Sequence, residues 1–259
     1  MSAADDARPV LEVEGLRKTY GRPGSGKEVE ALRGVSFSVR EGECVGLVGE
    51  SGNGKSTIAN LVMRLDEPSE GSIRLCGRDI THAKGKELRE AYRHMQMVFQ
   101  SPAESFDPRK TLGDGVTEGL RNAGVDKDEA KKRALSLFEY CGLAPEMFDR
   151  RPREVSGGQC QRAAIARALA LDPDLLICDE ATSALDMTVQ RQIVELLASL
   201  QEERGLSLLF ICHDIALVGN FCDRVIVLKS GLIVEEGPTE KVLRHPAHPY
   251  TRELIAAQL

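Results

Sequence analysis

The sequence predicts an α/β fold: a buried parallel sheet flanked by helices, with a helical segment inserted partway along the chain. Three observations carry this prediction. Cys44-Val45-Gly46-Leu47-Val48 and the later runs 175–178 and 206–212 are continuous and apolar, as strands covered on both faces of a parallel sheet are. Apolar residues recur at helical spacing between and after these runs; Val189, Ile193, Leu196, Leu197 and Leu200 share one face. From Pro102 to about Glu154 charge is dense and no such strand run occurs, which reads as a helical insertion between the halves of the core.

The polar start, MSAADDARP, reads as a short mobile tail. Residues 10–13 and 35–39 alternate apolar and polar, the pattern of half-buried strands, and the Gly-rich patch 21–27 between them reads as a loop tip or hairpin end. Residues 57–65 read as a helix, with Ile58, Leu61, Val62 and Leu65 on its buried face. In the middle segment, Asp126 three residues before Glu129 marks a helix start; Ala130, Ala134, Leu137 and Phe138 form a face, and Gly142 stands near the end. Gly205 fits a cap beyond the helix carrying Val189 to Leu200. Residues 224–228, Lys229-Ser230-Gly231 and 232–234 read as a late hairpin.

At 259 residues the chain can bury a substantial core, as one large domain or two small ones. It carries 34 Lys and Arg against 40 Asp and Glu, a net charge of −6, so no nucleic-acid partner is expected. Hydrophobic residues at 42% and charged residues at 29% are ordinary for a water-soluble globular chain. Seven cysteines, with no C-x-x-C pair and mostly apolar neighbours, read as buried reduced thiols. No apolar run approaches the ~20 residues needed to span a bilayer, and the start does not read as a signal peptide. Secreted, disulfide-built and membrane-spanning classes are excluded on these grounds.

Gly49-Glu50-Ser51-Gly52-Asn53-Gly54-Lys55-Ser56 fits G-x-x-x-x-G-K-[ST], directly after the strand at 44–48 and before the helix opening at Thr57. That strand–loop–helix setting is what a phosphate-binding loop requires. Its glycines let backbone N–H groups converge on phosphate oxygens, and the helix start adds positive dipole. Lys55 is expected to reach the β- and γ-phosphates and Ser56 to ligate Mg²⁺, with Thr57 completing the nucleotide-binding set. Leu175-Leu176-Ile177-Cys178-Asp179-Glu180 ends a buried strand in two acids. From a strand adjacent to the phosphate loop, Asp179 would hold Mg²⁺ through water and Glu180 would polarise the attacking water as general base. Taken alone, such a pair is more often a solvated strand end; the phosphate loop reverses that reading.

Ser156-Gly157-Gly158-Gln159 is locally as good a capped helix start as an anion-binding terminus, opening a helix read over 161–170. The order of motifs decides. Phosphate loop, helical segment, SGGQ and then Asp179-Glu180 resemble the ATP-binding subunit of an ABC transporter over nearly the whole length, with Val155 where the family usually has Leu. The resemblance implies a P-loop NTPase (RecA-like) core with an N-terminal antiparallel β subdomain and an inserted helical subdomain. It places a single ABC ATPase domain at 8–259, its helical subdomain at about 102–165 and a tail packing on the core at about 240–259. It also implies site residues. Gln100, after Met97-Val98-Phe99, resembles the Q-loop glutamine that senses Mg²⁺ and the attacking water while contacting the permease. Ser183-Ala184-Leu185-Asp186 resembles the D-loop linking two sites, His213 the switch histidine contacting γ-phosphate, and Tyr20 the aromatic that stacks on adenine. The signature of one subunit serves the ATP of another, so a head-to-tail dimer is implied, with ATP between Lys55 of one chain and Ser156 of its partner.

Asp149-Arg150-Arg151-Pro152-Arg153-Glu154 stands where exporters usually carry a Val-Gly-Glu-Arg-Gly-like stretch, so the chain resembles an importer subunit. Gln100-Ser101-Pro102 with Phe106-Asp107-Pro108-Arg109, and His245-Pro246-Ala247-His248-Pro249-Tyr250-Thr251-Arg252, resemble the oligopeptide, dipeptide and nickel group. Many members of that group carry a C-terminal cysteine cluster for iron–sulfur; with no cysteine after Cys222, none is expected here. The resemblance thus implies ATP and Mg²⁺, membrane permease subunits, a second and non-identical ATP-binding subunit, and indirectly an extracytoplasmic substrate-binding protein. It implies a place on the cytoplasmic face of the cell membrane. Peptides and nickel or other metal chelates both remain open as cargo. The alternative is a soluble ABC ATPase without a transport role, although such proteins usually carry tandem cassettes or a long coiled coil.

Overall fold

The computed structural model describes residues 8–21, 28–182 and 185–257. The N-terminal tail, residues 22–27 of the expected hairpin end, and Ser183 and Ala184 of the expected D-loop lie outside the described residues. In chain order the strands are β1 (Pro9–Gly21), β2 (Glu28–Arg40), β3 (Cys44–Val48), β4 (Glu70–Leu75), β5 (Arg78–Asp79), β6 (Met95–Val98), β7 (Leu175–Asp179), β8 (Ser207–Cys212), β9 (Arg224–Lys229) and β10 (Leu232–Pro238). The helices are α1 (Lys55–Val62), α2 (Gly85–His94), α3 (Leu112–Asn122), α4 (Lys127–Tyr140), α5 (Gly157–Leu169), α6 (Met187–Arg204), α7 (Ile215–Gly219), α8 (Thr239–Arg244) and α9 (Pro249–Ala256). Among the described residues no helix is long and apolar enough to cross a membrane.

Two sheets result. One is antiparallel, ordered β2-β1-β4-β5; the other is ordered β10-β9-β3-β8-β7-β6 and parallel except where β10 returns along β9. The apolar runs are continuous because each larger-sheet strand feeds two cores. Val45, Leu47, Leu175, Ile177, Leu209 and Ile211 pack with α1 and the antiparallel sheet. Their neighbours Val48, Leu176, Cys178, Leu208 and Phe210 pack on the opposite face with α5, α6 and the inserted helices, where Leu112, Val116 and Phe138 share one cluster with them. The helical segment therefore has no core separate from the sheet.

Several expectations are corrected. β1 and β2 run well past the alternating stretches, because register shifts such as that between Val13 and Leu16 break the period of two. The helix expected over 57–65 begins at Lys55 and ends at Val62; Arg64 turns left-handed at φ 56, and Leu65 is 54% exposed instead of lying on the buried face. The helix expected over 161–170 starts at Gly157, where Ser156 and Gln159 form a capping box. Asp179 does not lie on the strand adjacent to the phosphate loop: β8 stands between β3 and β7. The expected face of α4 is buried and Asp126 caps its start, while Gly205 caps α6 in the left-handed region.

Six of the seven cysteines are buried, and Cys76 is exposed. Burial pushes the Cys141 thiol up to about 12, which keeps it protonated and inert. Cys76 in the β4–β5 turn, His94 at the end of α2 and Asp174 just before β7 converge, with His94 Nδ1 2.7 Å from the Asp174 carboxylate. That hydrogen bond pins the end of α2 to the entry of β7, and the Cys76 thiol lies 3.9 Å from the same carboxylate.

Candidate nucleotide site

Strand register gathers the site. Val48 lies level with Cys212, Asp179 with Ile211, and Val98 with Cys178. The loop after β3, His213 after β8, Glu180 after β7 and Gln100 after β6 therefore leave the sheet along one edge. The carboxyl ends of parallel strands are where α/β sheets bind ligands.

The loop itself is held tightly. Gly49 sits at φ 153, where a Cβ would stand 2.3 Å from the Leu228 carbonyl oxygen; at Gly54, φ 103, a Cβ would stand 2.7 Å from that of Ala31. Strands β9 and β2 thus forbid a side chain at either position. Asn53 Oδ1 accepts the Ser230 N–H at 2.9 Å, and its carbonyl accepts the Gly231 N–H at 3.1 Å. Glu50, Ser51 and Gly52 are exposed. No side chain caps α1 and its first turn carries no acid, which leaves the helix start to an anion. Lys55 is 4% exposed and donates to the carbonyl oxygens of Gly49 at 2.7 Å and Glu50 at 3.1 Å, so its ammonium lies within the loop.

Asp179 is buried and accepts a hydrogen bond from Ser56 Oγ at 3.2 Å. Burial pushes its carboxyl up; the Ser56 hydrogen bond opposes this, and the neighbouring Glu180 charge adds to it. Glu180 occupies the left-handed region at φ 47, its N–H bonded to the Ile211 carbonyl at 2.9 Å. Gln100 Nε2 donates to Glu180 Oε2 at 2.8 Å. His213 is exposed where β8 ends, between the strands that carry the loop and the acids. Tyr20, 42% exposed on β1, donates its hydroxyl to Asp66 at 2.9 Å, and Lys18 Nζ lies 4.8 Å from its ring centroid.

The signature residues bond among themselves. The Gln159 N–H donates to Ser156 Oγ at 3.3 Å and the Ser156 N–H to Gln159 Oε1 at 2.9 Å. A Cβ on Gly158 would stand 2.6 Å from Val189 Cγ1, so this glycine lets α5 approach α6, while Ser156 and Gly157 are exposed. Asp186 caps α6, accepting the N–H groups of Thr188 and Val189 at 3.0 Å each. Among the described residues no hydrogen bond joins Ser156 or Gln159 to the phosphate loop. Sequence reasoning missed Tyr250, whose hydroxyl meets Glu50 and Asn53; the motif of residues 245–252 flagged the tail but not this contact.

Residues 32–183 match the ABC transporter family. A putative peptide import ATP-binding protein of Brucella ovis is 46% identical over 250 residues, covering 96% of this chain and 78% of that protein. An oligopeptide transport ATP-binding protein of Escherichia coli (strain K12) is 41% identical over 269 residues, covering 99% and 80%. A dimeric ATP-binding cassette in a post-hydrolysis state, bound to ADP and Pi, superposes with TM-score 0.81 at 32% identity over 88% of this chain and 98% of that one. Motif order, strand register and these likenesses agree: the chain belongs to the ABC transporter family.

Proposed function

We propose that the chain is the ATP-hydrolysing subunit of an importer that takes up short peptides through a membrane permease. The observation that carries this reading is the single sheet edge holding the phosphate loop, Asp179, Glu180, Gln100 and His213 together. The relatives named for peptide import support the cargo. Loop N–H groups and Lys55 bind the phosphates, and Tyr20 offers its ring to adenine. A buried carboxylate beside a hydroxyl is a hard-oxygen donor pair, and the raised Asp179 carboxyl gains from a cation, so Ser56 and Asp179 fit Mg²⁺. Bound there, Mg²⁺ would neutralise phosphate charge. Glu180 takes the proton of the attacking water, Gln100 holds that carboxylate in place, and His213 contacts the γ-phosphate. Ser156, Gly157, Gly158, Gln159 and Asp186 serve across a head-to-tail dimer with a second, non-identical subunit. Residues 8–259 form one domain, with the helical subdomain at about 102–165 and the tail at about 240–259. The complex sits on the cytoplasmic face of the membrane and receives cargo from an extracytoplasmic binding protein.

Lys55→Ala tests the core of this proposal: ATP turnover by the assembled complex should vanish and nucleotide affinity fall, since the phosphates lose their ammonium partner. Wild-type turnover would overturn it. Co-purification with permease subunits separates an importer from an ATPase without a transport role.

A further inference from the structure

The C-terminal helix reaches into the nucleotide site. Tyr250, in the first turn of α9, is 3% exposed. Its phenolic oxygen accepts the backbone N–H of Glu50 at 3.1 Å and the side-chain amide of Asn53 at 2.9 Å. Both partners belong to the phosphate loop. Asn53 also bonds Ser230 and Gly231 in the turn between β9 and β10, and Lys229 Nζ at the end of β9 lies 4.3 Å from the Tyr250 ring centroid. The tail is anchored in its turn. Glu235 on β10 accepts the N–H groups of Ala247 at 2.8 Å and His248 at 3.0 Å, and His248 Nδ1 accepts that of Tyr250 at 3.2 Å. A chain of hydrogen bonds thus runs from β10 through the tail to the middle of the loop.

We propose that Tyr250 is a positioning residue for ATP: it fixes the phosphate loop from outside the sheet, so nucleotide affinity depends on the docked C-terminal tail. The proposal rests on the reading of residues 49–56 as the ATP site. A phosphate cradle works by having N–H groups already aimed, and a loop that must be ordered on binding loses that ordering entropy from its affinity. Tyr250 accepts the Glu50 N–H and clamps Asn53, whose own N–H donates to the Glu50 carbonyl at 3.3 Å, so residues 50–53 are held as one preformed turn of the loop. Burial and the Glu50 carboxylate push its phenol up, so the hydroxyl stays neutral at physiological pH.

Tyr250→Phe keeps the ring, its packing and its contact with Lys229, and removes only the oxygen. Affinity is measured by titrating a fluorescent ATP analogue into the isolated chain, and kcat and KM for ATP in the assembled transporter. The dissociation constant and KM should both rise about three- to tenfold, below the full worth of the two hydrogen bonds the oxygen accepts, while kcat at saturating ATP stays within about twofold. A tyrosine that only packs the tail would lower the melting temperature and leave KM unchanged, and that result overturns the proposal. Failure of the wild-type chain to bind the analogue would instead overturn the site reading itself. Glu235→Ala loosens the tail without touching the loop and should raise the dissociation constant in the same direction. It decides the matter if Tyr250→Phe does not fold, and an unchanged constant there counts against the proposal.

Discussion

Asp179→Asn should stabilise the nucleotide-free chain while abolishing the Mg²⁺-dependent hydrolysis proposed for it. Asp179 is 9% exposed, its hydrogen-bond partner is the Ser56 hydroxyl, and burial holds its carboxyl above the ordinary range. A carboxyl whose folded value is raised binds more protons folded than unfolded. Stability then falls as pH rises from the unfolded value through the folded one, and above both the ionised group is a net cost. Asparagine keeps the oxygen that accepts from Ser56 and removes the charge. Relieving a poorly compensated buried charge is worth on the order of 1–3 kcal/mol. At about 2–4 °C per kcal/mol for a chain of this size, the melting temperature should rise by roughly 2–12 °C at pH 8. The assay is thermal unfolding of wild type and variant at pH 8 and at a series of lower pH values; the gap should narrow as the wild-type carboxyl takes up its proton. With Mg²⁺ and ATP present the order should reverse, since only wild type gains the cation. A variant no more stable than wild type at pH 8, or a gap that widens on acidification, would refute the argument.

Glu180→Gln preserves an oxygen for the Gln100 amide that now lies 2.8 Å from Glu180. ATP binding should survive while turnover drops by about 10²–10⁴, and an ATP-bound dimer should accumulate in size-exclusion profiles when the partner subunit is present. Loss of affinity as severe as in Lys55→Ala would remove the general-base role. Phe106, at 4% exposure beneath the Arg167 guanidinium 4.2 Å from its ring centroid, holds the segment after Gln100 onto the inserted helices. Phe106→Ala should therefore cost about 3–5 kcal/mol in thermal or denaturant unfolding, and a neutral result would mean this segment is not held by packing.

How much of this was legible depended on whether the signal was local. The loop could be read because the whole motif, Gly49 to Ser56, lies in one contiguous stretch, although the carbonyls that exclude a Cβ at Gly49 and Gly54 come from distant Leu228 and Ala31. The strands β3, β7 and β8 could be read because every residue in them is buried. β4 and α2 left little trace, since β4 buries only Ile73 and Leu75 and α2 only Ala91. The four residues of β6 sit at the edge of the sheet, too short to show a period. Strand order was not legible at all. Nothing in residues 175–180 reveals that β8 lies between them and the loop, because the order follows from crossovers that no single segment encodes.

The signature shows where sequence and fold give different kinds of information. Ser156 and Gln159 cap α5 by bonding each other, and Gly158 is excluded from carrying a side chain by Val189. The fold alone therefore demands three of the four residues, and their presence is not by itself proof of a ligand. The surplus is the exposure of Ser156 and Gly157 at a helix start whose packing does not ask for it. The acids, Gln100 and His213 are already gathered on the loop's own edge, so in the proposed function that exposed terminus is left to serve the site of a second subunit, head to tail. Ser156→Arg separates the two roles. The backbone of α5 can still form, so ATP affinity of the isolated chain should hold within about twofold. Turnover in the assembled complex should collapse as the cation and its bulk enter the partner's site. If the isolated chain instead loses ATP affinity, Ser156 serves its own loop and the head-to-tail arrangement must be abandoned.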